Sequence, residues 1–317
     1  MRWLTSPSPD AAIQIAPEHV SVSVLGGRGG EPVVQGYAIE PLPPGAVVAS
    51  LTSQNVVSHP AVVDALRRAL DRAGVRPRRV SLIIPDVAAR VSLLRFEKVP
   101  ARREDLDQLI RWQIRKAAPF PIEEAALTFD AGAHAADGST EFIVVMARQD
   151  IVREYESVCE DAGMHAGLVD IATLSVLNLF LAGGSVPDGD WLVIHVQPEY
   201  TSVVILRGRD VLFFRNKAGS DGEGLADVVH QSAMYYQDRL EGRGFSRVLV
   251  GGVGKTAGAI DGMRRSVEER LGVSVQPIDP TRAAALTDRI SAAPDVLATL
   301  APLVGLMVRS RTEAVGA

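Results

Sequence analysis

Trp191-Leu192-Val193-Ile194-His195-Val196, Tyr200-Thr201-Ser202-Val203-Val204-Ile205-Leu206 and Val211-Leu212-Phe213-Phe214-Arg215 form the stretch on which the fold turns. Each run is short, apolar and rich in β-branched or aromatic residues. The joints are Gln197-Pro198-Glu199 and Arg207-Gly208-Arg209-Asp210. The pattern predicts three strands linked by tight turns. Leu225, Val228, Val229, Ala233, Tyr236 and Leu240 then recur at helical spacing, predicting a helix over about Gly222 to Leu240. A buried strand at Arg247–Val250, a helix over about Thr256 to Leu271 and a short strand at Val273–Gln276 complete the run.

The same order stands earlier in the chain. Ala11–Ala16, Val20–Leu25 and Pro32–Ile39 alternate like strands, separated by Pro17-Glu18-His19 and Gly26-Gly27-Arg28-Gly29-Gly30. Val62, Val63, Leu66 and Leu70 mark a helix from His59 to Ala73, which Gly74 ends, and Arg79–Ile84 is the next buried strand. Two β-β-β-α-β units imply two related α/β lobes. The first copy is interrupted after Pro85-Asp86. A strand (Ala88–Phe96), a helix (Arg103–Ala117), strands Ala125–Gly132 and Glu141–Ala147, and a helix from Gln149 to about Ala162 form a βαββα block without a counterpart. The expected organisation is a first lobe of residues 1–86 and 164–187, an inserted subdomain of 87–163 and a second lobe of 188–317.

Composition narrows the function. At roughly 150 residues per domain, 317 residues suit two lobes. Apolar residues at 47% and charged residues at 22% fit a folded chain. A formal charge of −5 argues against non-specific nucleic-acid binding, which rests on Lys and Arg against phosphates. Aromatic residues at 5% leave little for a base-stacking platform. The single cysteine, Cys159, excludes an intrachain disulfide and shares an apolar helix face with Ile151, Val152 and Tyr155, which predicts a core residue. The histidines are scattered without metal-binding spacing, so no metal site is expected. The first ten residues hold no signal-peptide apolar run. Leu168–Ala182 carries Asp170, Thr173 and Asn178, and Val296–Val308 is short and carries Pro302, so neither is expected to span a membrane.

One motif invites a catalytic reading. Val250-Gly251-Gly252-Val253-Gly254-Lys255-Thr256 follows a strand and opens a helix, the setting of a phosphate-binding loop. The strict pattern wants glycine at Leu249, and the deviant form wants lysine at Val250. On the residues alone a true phosphate loop is a poor match, and a plain strand-to-helix turn stands beside it as a reading.

The stretch from Ser81 to Phe129 carries a family resemblance. It holds Leu82-Ile83-Ile84-Pro85-Asp86, Arg90-Val91, Leu94-Arg95-Phe96, Val99-Pro100 and Leu109-Ile110-Arg111-Trp112-Gln113, and ends in Ala118-Pro119-Phe120-Pro121-Ile122-Glu123-Glu124. Phe214-Arg215, Val250-Gly251-Gly252 and Gly305-Leu306-Met307-Val308-Arg309 add to it. The chain resembles the PilM family of type IV pilus assembly, actin-like proteins related to the cell-division actin homologue. The resemblance implies a bilobal actin-like fold, a duplicated RNase H-like β-β-β-α-β unit, with the βαββα insert in the first lobe. It implies ATP as the cofactor, with Gly251, Gly252, Gly254 and Lys255 on the adenosine side and an Asp-x-Gly turn in the first hairpin of each lobe.

At those turns this chain reads Ile13-Gln14-Ile15-Ala16 and Ile194-His195-Val196-Gln197. Gln14 and His195 replace the aspartates that orient Mg²⁺ and water, and Ala16 and Gln197 replace the glycines that let backbone approach phosphate. The turns are degenerate, no catalytic residue is assigned, and the reading is a non-catalytic scaffold. The rivals are an active actin-like ATPase regulating pilus or type II secretion assembly, a type II secretion platform protein and a small-molecule kinase. The resemblance further implies a cytoplasmic protein, peripheral at the inner membrane, that binds the N-terminal cytoplasmic peptide of a PilN-like inner-membrane protein in a groove between the first lobe and the inserted subdomain. Arg90, Arg95, Trp112, Phe120 and Pro121 are the expected contacts. Pilus motor ATPases and a second copy of the chain are further partners compatible with it.

Overall fold

In a computed structural model, residues 9–27, 32–135, 137–182, 186, 188–219, 225–253 and 259–315 are described. β1 (Ala11–Ile15), β2 (His19–Gly26) and β3 (Val33–Pro41) make an antiparallel meander. α1 (His59–Ala73) buries Val62, Val63, Leu66 and Leu70, and stops at Gly74. There φ is +69°, and the Gly74 N–H caps the Asp71 carbonyl, a left-handed stop that glycine takes without a Cβ penalty. The chain returns as β4 (Arg79–Ile84), parallel to β1.

After a 3₁₀ turn at Asp86–Ala88 come β5 (Ala89–Phe96), α2 (Arg103–Ile114), β6 (Ala125–His134), β7 (Thr140–Arg148) and α3 (Gln149–Asp161). The three strands form a separate sheet in the order β5-β7-β6. Its own core holds Phe96, Phe129 and Phe142 in edge-to-face contact, closed by Ile110 and Ile114 of α2. α3 turns elsewhere. Ile151, Tyr155, Val158 and Cys159 join the core built on α1 and the first sheet. The last helix of the inserted block is thus packed into the first lobe.

β8 (His165–Ile171) lies parallel to β4, and α4 (Ala172–Leu181) follows. The second half repeats the plan with β9 (Asp190–Val196), β10 (Tyr200–Arg207), β11 (Asp210–Ala218), α5 (Leu225–Arg239), β12 (Arg247–Gly252), α6 (Ala259–Leu271) and β13 (Val275–Pro277). Its sheet order is β11-β10-β9-β12-β13, and the first sheet reads β3-β2-β1-β4-β8 in the same sense. α6 precedes the fifth strand of its sheet as α3 precedes β8, which accounts for where α3 packs. The first sheet gains an edge strand, β14 (Ala285–Leu286), parallel to β3. α7 (Pro294–Val315) then packs along α4, with Leu300, Val304 and Met307 meeting Val176, Leu177 and Phe180 in one core with Trp191, Val193 and Leu249. These two helices fasten the lobes. No helix of the described residues is long and apolar enough to cross a membrane.

Candidate functional site

The two hairpin turns expected from the resemblance to be degenerate phosphate turns lie at the ends of β1 and β9. Ala16 N–H donates to the His19 carbonyl (2.9 Å), and Gln197 N–H donates to the Tyr200 carbonyl (2.8 Å). Gln14, Ala16, His195 and Gln197 are all buried. The Oε1 atom of Gln14 has no hydrogen-bond partner. β1 pairs Gln14 with Ile83, three residues before Asp86.

His195 belongs to a chain of donors. Gln197 Nε2 lies 3.0 Å from His195 Nε2, and His195 Nδ1 lies 2.8 Å from Thr173 Oγ1. Thr173 Oγ1 donates to Asp86, whose other oxygen accepts the Thr173 backbone N–H at 2.9 Å. Thr173 sits in the first turn of α4, where unpaired N–H groups favour a carboxylate. A second chain reaches the same carboxyl group. Asn216 Nδ2 donates to Ser202 Oγ at 2.9 Å, and Ser202 Oγ donates to Asp86. Tyr200 is buried beside the same carboxyl group, and burial raises the pKa of its phenol well above the usual value. Burial lowers the pKa of His195. A neutral ring with hydrogen on Nδ1 satisfies both contacts: Nδ1 donates to Thr173, and Nε2 accepts from Gln197.

The glycines of the late loop answer to packing. Gly252 has φ of +120°, and a Cβ there would stand 1.9 Å from the Val196 carbonyl oxygen. A Cβ on Gly251 would stand 2.6 Å from Ile278 Cβ. Both glycines therefore let β12 pass close to β9 and to Ile278. Gly254 and Lys255 lie outside the described residues.

The five residues expected to meet a partner do not converge. Trp112 is 71% exposed on the outer side of α2. Phe120 is half-buried against the insert's own core, and Pro121 is exposed. Arg90 points from the α2-facing side of β5. Arg95 is on the opposite side, where its guanidinium bonds Ser139 Oγ (2.6 Å) and Asp137 (2.5 Å). That opposite side, with Leu93 and Ile143, forms one wall of a cleft of about 340 Å³. Leu174, Leu177 and Leu181 of α4 form the second wall, and Asp210 and Val211 of β11 close it. Asp130, Glu141 and Asp210 bring carboxylates to the cleft; Arg209 donates to the Leu181 carbonyl, and Arg309 pairs with Asp170 at 3.5 Å.

Sequence reading passed over Asp86, Thr173, Ser202 and Asn216. Asp86 was visible as a carboxylate closing a buried strand. The other three come from distant elements and carry no local signal. Among the described residues, no three His, Cys, Asp or Glu side chains gather to hold a metal ion.

Comparison with known proteins completes the picture. A solved structure described as a PilM–PilN type IV pilus biogenesis complex superposes with a TM-score of 0.81 at 20% identity, over 96% of this chain and 99% of that one. A Bacteroides thetaiotaomicron protein described as having an actin-like ATPase fold and unknown function reaches 0.50 at 8% identity, over 94% of this chain and 96% of that one. The bilobal architecture is the actin-like fold. The family described as type IV pilus assembly protein PilM matches residues 12–236, the greater part of the chain, and the protein belongs to the PilM family.

Proposed function

We propose that this chain is a scaffold of type IV pilus assembly, positioned at the cytoplasmic face of the inner membrane by capturing the cytoplasmic tail of a PilN-like protein. The cleft between the inserted sheet, α4 and β11 carries the reading. Its walls present Leu93, Ile143, Leu174 and Leu177 to an extended segment. Its carboxylates suit the Lys- and Arg-rich character of cytoplasmic segments next to a membrane span. The similar solved complex, described as PilM–PilN, supports the choice of partner.

On this reading the cleft, not the Trp112 surface, takes the tail. A fluorescent peptide with the first residues of the PilN-like protein should bind the wild-type chain. Ile143→Asp, on the half-buried wall of the cleft, should weaken binding at least tenfold. Trp112→Ala should leave it within about twofold. Loss of binding in Trp112→Ala with retention in Ile143→Asp would refute the assignment.

A further inference from the structure

We infer that the cleft between the lobes is held closed by this chain's own side chains, in the place where a Mg-nucleotide would join the lobes of an actin-like ATPase. Asp86 and Thr173 belong to the first lobe; Tyr200, Ser202, His195 and Asn216 belong to the second. Two hydrogen bonds cross between them, His195 to Thr173 and Ser202 to Asp86, and the buried Tyr200 ring of the second lobe lies beside the same carboxyl group. Each donor in the two chains has an acceptor, and both chains end on one carboxyl group. Such a network acts as a unit, because removing one member leaves the next as a buried donor or acceptor without a partner.

The residues present do not fit a Mg-nucleotide. An amide at Gln14 and a neutral imidazole at His195 supply no charged oxygen for a Mg²⁺ water shell. Both oxygens of Asp86, the carboxyl group on which the network ends, already accept hydrogen bonds from Thr173 and Ser202. The space that glycines would open to phosphate is filled by the side chains of Ala16 and Gln197. Gly252 packs on the Val196 carbonyl and Gly251 on Ile278, so neither glycine leaves a cradle. The lobe angle is therefore set by folding alone, and nucleotide has no part in it.

The test is a distance measurement between the lobes. Spin labels go on Asp64→Cys in α1 and Glu269→Cys in α6, both exposed positions. The native Cys159 is buried, with its thiol pushed up to about 12, and stays unlabelled. The expected result is one narrow distance, identical with and without millimolar Mg-ATP. Thr173→Val and Ser202→Ala should each add longer distances that Mg-ATP does not remove, and lower the melting temperature by several degrees. A distance that changes with Mg-ATP in the wild-type pair would overturn the inference. So would variants that melt earlier yet keep the wild-type distance, since that is what a merely structural role produces. Should Thr173→Val fail to fold, Ser202→Ala and the nucleotide arm decide.

Discussion

Gly252 shows how strand packing alone can demand a glycine within a motif. Its φ of +120° and the Val196 carbonyl at 1.9 Å from any added Cβ make glycine obligatory for strand packing. Gly252→Ala should cost on the order of 3–5 kcal/mol in chemical denaturation, independent of nucleotide. Asp170 gives a second test at this scale. Its side chain is 11% exposed, and burial raises its pKa to about 6 against partial relief from Arg309. From about pH 4 to 6 the folded chain keeps a proton that the unfolded chain has released, so this group's contribution falls as pH rises through that window. Asp170→Asn should therefore stabilise the chain by roughly 2 kcal/mol at pH 7 and by nothing below pH 4, read from urea midpoints at the two pH values. At this scale the sequence was partly legible. Gln14 and His195 announced altered turns, and Cys159 announced a core position. Thr173, Ser202 and Asn216 did not, because a hydrogen-bond chain across three elements has no spacing in the sequence.

At the scale of elements, helix and strand patterns were readable almost to the residue where periodicity was strong. The spacing predicted a helix over His59–Ala73 and a strand over Arg79–Ile84, and both have those bounds. Packing partners were less readable. The stripe on α3 looks the same whether it faces the insert or the first lobe; only the parallel with α6 in the second sheet explains the choice. α7 was seen only as a short apolar run with Pro302, yet it spans Pro294–Val315 and packs against α4. Gly305 is the point of closest approach, where a Cβ would stand 2.0 Å from the Ser175 carbonyl oxygen. Gly305→Val should force α7 off α4 and lower the melting temperature by about 5 °C or more. The loop before α1 has its own latch. Glu154 accepts the N–H groups of Asn55 and Val56 at 2.8 and 2.9 Å, and holds a loop that exposes Val48 and Val57. Glu154→Ala should speed hydrogen exchange at Asn55 and Val56 at least tenfold while exchange in β4 stays unchanged.

At the scale of the whole molecule, duplication was the legible feature. Three strands, a helix and a strand, seen twice, were enough for two lobes, because each unit buries one face of its sheet under helices. The relation of the lobes was not legible, since it involves the packing of α7 along α4 and, as proposed above, the Asp86 network. A groove between the first lobe and the insert was expected through the family resemblance, but the residues that line the cleft were not. The expected contact residues came from the segment most like the PilM family, whereas the cleft is lined by half-buried residues of ordinary appearance such as Leu93 and Ile143. The chain keeps the actin-like frame; on the reading proposed above, it ties its lobes with side chains and offers a groove to a membrane partner.

Calorimetric titration of the full chain with the PilN-like tail peptide, run with and without Mg-ATP, tests that account most directly. The account predicts one peptide per chain with the same affinity in both runs. Peptide binding that needs Mg-ATP, or none in either run, would contradict it.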